Sequence, residues 1–336
     1  MATPFEVVAR PFEIIDGHVE SFVWTRMIGY DLAARHGAGL LGGRFYSQAD
    51  LPRMREAGLS GAVMSIATNP FRPTGRRTAV LEANLVRLRA GLESDPGVAV
   101  VSDHAGYRTA RAAGRLACFL AVQGANAWSR PEDIARTRDV TRATLVHLTD
   151  SALGATSWPL SRSRGRGPLT AAGRGYVAAL NDARVVVDLA HISRPGFWDA
   201  IETHARDLPP VVTHTGVCGV RPSWRNLDDD QIRAVAGRGG VVGVMFHQGF
   251  LGRPSWRVTA DAVVAHLAHL VKVGGEDVAA IGSDYDGLIV PPRRLRTIDT
   301  LPHLVERLRA AGFGDTRIGK VMGGNYLRVL QTVRPG

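Results

Sequence analysis

Apolar runs of strand length recur along the chain, and segments with apolar positions at helical spacing separate them. The runs are Phe12 to His18, Gly61 to Ala67, Leu116 to Val122, Ala143 to Leu148, Val185 to Ala190, Pro210 to Thr213, Gly240 to Phe246 and Val278 to Ser283. Between them lie helical stretches such as Thr78 to Leu92, Pro131 to Arg138, Thr170 to Ala183, Asp228 to Ala236 and Thr259 to Val273. Strands that are apolar on both faces and alternate with helices predict a parallel sheet covered on both sides. Eight such units predict a closed (β/α)8 barrel of the TIM type. Val98 to Val101 also has strand character and reads as an excursion within the long crossover between the second and third strands. No internal repeat or low-complexity linker marks a boundary. Residues 1–336 therefore read as one α/β barrel domain with a short N-terminal extension and a closing C-terminal helix, Thr316 to Val333. The loop Ser161 to Gly167, SRSRGRG, reads as a mobile surface segment.

In such a barrel the chemistry sits at the C-terminal ends of the strands and in the loops after them. The first strand ends in Asp16-Gly17-His18-Val19-Glu20, which puts His18 and Glu20 on one side of an extended segment. The third ends at Gln123, the fourth at His147, the fifth at His191 and the sixth at His214, with Arg225 a short loop later. The eighth ends in Ser283-Asp284-Tyr285-Asp286-Gly287. Taken singly, each has an ordinary explanation. A strand-end histidine is commonly a hydrogen-bonded core residue, Asp284 and Asp286 could form a turn before Gly287, and Asp228 could start a helix. Four histidines at four strand ends, with carboxylates at two of them, point instead to a metal site. His266 and His269, three apart on one helix face, read as packing residues at its edge, and His247 as a candidate pocket residue.

Composition narrows the remaining classes. The formal charge is +10, yet it is carried by scattered arginines, apart from a cluster at Arg162, Arg164 and Arg166. No nucleic-acid-binding motif accompanies them, so no nucleic-acid partner is expected. No stretch approaches the ~20 apolar residues of a membrane span. The N-terminal stretch, with Glu6 and Glu13, lacks the charged start and apolar core of a signal peptide. The expectation is a cytoplasmic protein with no membrane partner. Cys118 and Cys218 form no CxxC pair; Cys118 reads as a small core residue.

These motifs resemble those of the membrane (renal) dipeptidase family, zinc peptidases on a metal-dependent-hydrolase barrel. DGHVE is similar to the family's DGHxD, VVDLAHIS to its vDlSHis, and PVVTHTGVCGVRPSWRNLDDDQI to its PviaSHSxxxxxxxxRNlxDeql. IGSDYDGL and GGNYLRVL match its closing signatures, and the eleven-residue spacing from His214 to Arg225 is the family's own. The resemblance runs over nearly the whole chain. It implies a first Zn2+ held by His18 and Glu20 and a second by His191 and His214, with residue 123 shared between them. It further implies that Asp284 moves the proton of the attacking water, that His147 polarises the scissile carbonyl, and that Arg225 receives the substrate's terminal carboxylate. The implied substrate is a dipeptide or similar amino-acid-like small molecule, and a homodimer is implied as one state of assembly.

Two departures fall among the implied ligands. The family's strand-one aspartate is Glu20, one methylene longer, and its bridging strand-three glutamate is Gln123. Two dications ~3.5 Å apart repel by roughly 20 kcal/mol at an effective dielectric near 20. A neutral amide offers an oxygen but no charge against that repulsion. Smaller differences are Ser151 for an asparagine and Thr213 to Thr215 for a Ser-His-Ser triplet. Three readings follow. One is a metal-dependent hydrolase of dipeptides or related amides with one or two zincs. Another is a divergent member with a mononuclear site, catalysing a lyase, cyclisation or deacylation step in a biosynthetic pathway. The third is a catalytically silent ligand-binding relative, which the joint presence of His18, His147, His191, His214, Arg225 and Asp284 disfavours. Side-chain selectivity would fall to the strand-end loops, with Trp24, Trp128, Trp158 and Phe246 as candidates.

Overall fold

The computed structural model describes residues 12–69, 73–253 and 255–336. Glu6 and most of the N-terminal stretch considered above lie outside these residues.

Nine parallel strands form the sheet: β1 Ile15–Val19, β2 Gly61–Ala67, β3 Val98–Val101, β4 Leu116–Gln123, β5 Val140–Thr144, β6 Val186–Asp188, β7 Val211–Thr215, β8 Val241–Val244 and β9 Ala279–Ile281. Eight follow one another in the order β1-β2-β4-β5-β6-β7-β8-β9, while β3 pairs only with β4. On β4, one edge is taken by β2 from Ala117 to Gln123. β3 (Val98 against Leu116) and β5 (Val140 against Leu120) therefore share the other edge end to end. This is the excursion expected in the long crossover, and it leaves the eight-strand count intact.

The barrel closes at its C-terminal rim. Glu20 N donates to Tyr285 O (2.9 Å) and Asp284 N to His18 O (3.0 Å), so the strand-one and strand-nine loops are stitched together. Asp16 supports the seam by accepting from Ser283 N at 2.9 Å.

Two apolar clusters explain the layering. The larger packs the outer faces of the strands against the helices. The smaller gathers Ile15, Val63, Phe119, Val186, Val211, Val241 and Ala280, from seven strands, against Tyr326 and Leu330 of the C-terminal helix Asn325–Val333. That helix plugs the bottom of the barrel, in keeping with the expected closing role.

Some boundaries shift. Pro131 to Arg138, expected as a helix, is a 3-10 turn from Pro131 to Arg136. Its buried Asp133 accepts from Thr78 Oγ1 at 2.7 Å, which ties the short segment down before regular α-helix can extend. The strand expected from Ala143 to Leu148 begins at Val140 and ends at Thr144. His147 thus lies in a loop that has left the sheet, where Leu148 has a φ of 53°. The loop 161–167 is held by Asp150, whose carboxylate accepts from Ser163 N at 2.6 Å. Among the described residues no helix is long and apolar enough to cross a membrane.

Candidate metal centre

The strands deliver the expected side chains to one buried point at the rim. His18 and His214 are fully buried and stack with ring centroids 3.9 Å apart. His18 Nε2 lies 3.2 Å from Glu20 Oε1 and 3.6 Å from Asp284 Oδ1. On the opposite side, His191 Nε2 and His214 Nε2 are 2.8 Å apart. The amide Nε2 of Gln123 is 3.3 Å from both. His147 meets the edge of His191 at 4.8 Å between centroids. Ligand atoms of His18, His214 and Asp284 all fall within 4.8 Å of one another.

Several polar atoms here make no hydrogen bond, although His18 Nε2 and Glu20 Oε1 face each other. His18 Nε2, Glu20 Oε1, Gln123 Oε1 and His147 Nδ1 are buried without a hydrogen bond. Orphaned buried polar atoms are rare in folded proteins and call for an ion, a water or a ligand. Nitrogen and oxygen donors converging in this way form a set that suits a zinc-like cation. The backbone is constrained as well: His191 and Asp284 have φ of 66° and 64°, conformations rare for residues other than glycine and frequent at functional sites.

Beneath these groups lies a polar layer centred on Arg142 of β5, buried with no exposed surface. Its guanidinium pairs with Asp188 of β6, donates to Ser65 Oγ (2.9 Å) and Thr144 Oγ1 (2.9 Å), and lies 3.0 Å from His18 Nδ1. Asp188 also accepts from Thr213 Oγ1 (2.7 Å), and that hydroxyl lies 2.9 Å from His214 Nδ1. The aspartate thus orients His214 through Thr213 and leaves its Nε2 facing the site. Partners behind a ligand of this kind set ring orientation and tautomer.

Burial governs the electrostatics. It lowers the pKa of His18, His191 and His214 well below the usual histidine value, helped by neighbouring Arg142, Arg225 and one another. His147 falls to about 3, through burial and then Arg225. Burial raises Glu20 to about 8, and raises Asp284 well above the usual aspartate range with the Glu20 carboxylate adding to it. Carboxylates so destabilised as anions are what a nearby cation would relieve. Arg225 is lowered by burial to about 10, so it stays charged at neutral pH. Its Nη2 donates to His214 O at 2.7 Å, which fixes the guanidinium beside the histidine pair.

A family model for membrane dipeptidases, peptidase family M19, matches residues 4–335. The chain belongs to the membrane dipeptidase family. Its relatives include an uncharacterized protein from the pqqA 5' region of Klebsiella pneumoniae, 38% identical over 180 residues, which are 53% of this chain and 65% of that protein. An uncharacterized dipeptidase of Schizosaccharomyces pombe is 29% identical over 224 residues, 64% of this chain and 53% of that protein. The matched region thus spans less than two thirds of either relative's length. Among solved structures, a metallo peptidase from Rhodobacter sphaeroides, liganded with a phosphinate mimic of L-Ala-D-Ala, has a TM-score of 0.83 at 26% identity, covering 96% of this chain and 99% of that one. A dipeptidase described as a metallo peptidase of family M19 has a TM-score of 0.84 at 26% identity, covering 97% and 100%.

Within this membrane dipeptidase barrel some candidates separate from the site. Asp286, two residues from Asp284, accepts from Gln48 N (2.8 Å) and Ala49 N (3.1 Å) and anchors a loop. Trp128 and Phe246 are buried in the core, and Trp24 Nε1 donates to Asp286 O at 2.8 Å. Trp158 and His247, by contrast, line the cavity that opens onto the site. His266 is fully buried rather than at the helix edge, since it bridges two loops. His269 pairs with Asp229 at 2.7 Å. Arg142 and Asp188 are not among the residues that the strand-end motifs point to. Their signal is a charged residue inside each of two strands that are buried throughout, VTRAT and VVD.

Proposed function

We propose that this membrane dipeptidase family member is a metal-dependent hydrolase that cleaves a dipeptide or related small amide. The observation that carries the reading is the set of buried ligand atoms of His18, Glu20 and Gln123 that make no hydrogen bond, beside the His191–His214 pair, with Arg225 fixed next to them. In this reading His18 and Glu20 hold one zinc, His191 and His214 hold another, and Gln123 lies within reach of both. A bound dication there polarises a carbonyl and lowers the pKa of water toward neutrality.

The chain's own residues supply the rest. Arg225 offers an anchored guanidinium to the substrate carboxylate, a fork-to-fork match. His147, neutral at physiological pH, donates to the carbonyl oxygen of the scissile amide without neutralising a nearby carboxylate. Asp284 takes the proton of the attacking water and passes it to the leaving amine. Burial on the barrel rim keeps bulk water from competing for these bonds.

Metal analysis joined to a hydrolysis assay tests the proposal. Zinc should copurify with the chain, dipeptide hydrolysis should be lost on chelation, and zinc should restore it. A metal-free protein that hydrolyses dipeptides at full rate would sink the reading. So would a zinc-loaded one that hydrolyses neither dipeptides nor N-acyl amino acids.

Gln123 favours a second reading, in which only the His191–His214 site is filled and the reaction is a lyase, cyclisation or deacylation step. The Arg142 guanidinium, 3.0 Å from His18 Nδ1, adds a further positive charge beside the first site. One zinc per chain, with no dipeptide turnover, is its signature.

A further inference from the structure

The cavity above the metal centre has a character that the catalytic groups do not require. It measures about 460 Å³, and His191, Arg225 and Asp284 lie among its lining residues. Around these polar groups the walls are apolar. Beside Arg225, Trp224 packs edge-on against Phe250 with centroids 5.3 Å apart. Phe250 in turn meets His247 at 5.1 Å. His247 accepts from Val290 N at 3.1 Å and is held neutral by burial, so this wall carries no charge. Leu148, Trp158, Met245, Leu288 and Ile289 add further apolar lining, and Thr149, Thr156 and Ser157 add uncharged polar groups.

Four of these residues are exposed to a degree unusual for large apolar side chains: Leu288 64%, Leu148 53%, Trp224 44% and Trp158 39%. Exposed apolar groups that converge on one cavity mark a ligand site, whereas singly scattered ones do not. Leu148 and Leu288 also have φ of 53° and 61°. A branched side chain in the left-handed region is costly and is kept only where the surroundings enforce it. Here the cost holds two leucines at the cavity, where a ligand would cover them. Arg225 and Asp284 are the charged groups among the described lining residues, and both are engaged in the proposed chemistry. A charged substrate side chain would find no spare opposite charge.

We infer that the site selects substrates whose carboxylate-bearing residue has a large apolar, preferably aromatic, side chain, seated against Trp224 and Phe250. The inference rests on the proposed placement of the substrate carboxylate at Arg225. Burying a phenylalanine-sized side chain in such a wall is worth about a ten- to hundredfold preference over alanine.

Two measurements separate this inference from the hydrolase reading. The first is calorimetric binding of N-acetyl-phenylalanine, N-acetyl-alanine and N-acetyl-aspartate to the zinc-loaded protein. The second is kcat/KM for Gly-Phe, Gly-Ala and Gly-Asp. Binding should favour the phenylalanine compound at least tenfold, and kcat/KM should follow the same order. Trp224→Ala and Phe250→Ala, checked for unchanged zinc content and thermal unfolding, should each shrink the Phe/Ala ratio several-fold. Equal binding of the three compounds, or a preference for the aspartate one, overturns the inference even if every dipeptide is cleaved. A binding preference that survives both substitutions overturns the assigned wall. If no dipeptide is cleaved but the binding order holds and collapses in the variants, the hydrolase reading fails and the specificity stands.

Discussion

At the scale of single residues, the chemistry turns on position 123. Gln123 sits at the end of β4 with its amide nitrogen 3.3 Å from two histidine nitrogens and its oxygen unpartnered. It has the reach of a bridging glutamate without the charge. Glu20 shows the complementary strain, its carboxyl raised to about 8 by burial. Gln123→Glu replaces one neutral donor by a carboxylate in the same volume, so packing is nearly unchanged while a negative charge enters between the two sites. The expected outcome is a rise in zinc affinity that closes any zinc shortfall per chain, with a parallel gain in any dipeptide hydrolysis. Metal analysis alongside steady-state kinetics reads both. No gain in either would show that the missing charge is not what limits the site. Asp284 and Asp286 carry the opposite lesson: two carboxylates two residues apart have unrelated surroundings. One faces the proposed metal centre, while the other is consumed by backbone amides of a distant loop.

At the scale of elements, the rim geometry depends on how closely β7 approaches its neighbours. The carbonyl of Thr213, one residue before His214, lies where a Cβ at Gly243 or Gly282 would stand 2.0 or 1.9 Å away. Neither position has room for a side chain, because β7 must lean in to bring His214 onto His18. Gly282→Ala should therefore displace β7 and cost roughly 1–3 kcal/mol of stability. It should also weaken zinc binding well beyond that loss, because the His191–His214 spacing moves with the strand. Urea unfolding of the metal-free protein and a competitive zinc titration separate the two effects; unchanged zinc affinity would disprove the coupling. Elements of this kind were only partly legible. Short runs apolar on both faces announced the parallel barrel, since periodicity records burial directly, and the strand-end histidines come together at its rim. The Arg142–Asp188 layer was not legible in the same way. Arg142 precedes the apolar run from which the strand was read, and its partners Ser65, Asp188 and His18 come together only when the sheet curls. Trp128 and Phe246 are the converse case: aromatic residues near strand ends look alike in sequence, and only packing shows which face the core.

At the scale of the whole molecule, the barrel is a stack. An apolar plug sealed by the C-terminal helix lies at the bottom, the Arg142–Asp188 layer above it, the proposed metal centre at the rim and the apolar cavity on top. Loops at the top are held by groups outside the site, and His266 is the clearest of these. It accepts from Val217 N at Nδ1 (2.9 Å) and lies 3.2 Å from Leu251 O at Nε2. It thus pins the start of the loop that carries Trp224 and Arg225 as a neutral ring with its proton on Nε2. Burial lowers its pKa to about 4 in the folded protein, against about 6.5 in an unfolded chain. The folded pKa is the lower one, so below pH ~6.5 the unfolded state takes up a proton that the folded state refuses. The stabilising contribution is complete above pH ~6.5 and is lost as pH falls toward 4. At pH 5 the loss from this one group is on the order of 2 kcal/mol. His204 and His247, also lowered to about 4 by burial, act in the same direction. The fold should therefore weaken steeply between pH 7 and 5, while the folded ring stays neutral and keeps its bond from Val217. His266→Asn, whose side-chain oxygen can still accept from Val217, should lose about 2 kcal/mol less over that interval. Urea midpoints of the metal-free protein at the two pH values measure the difference. Parallel losses in the parent and the variant would remove His266 from the account of acid stability.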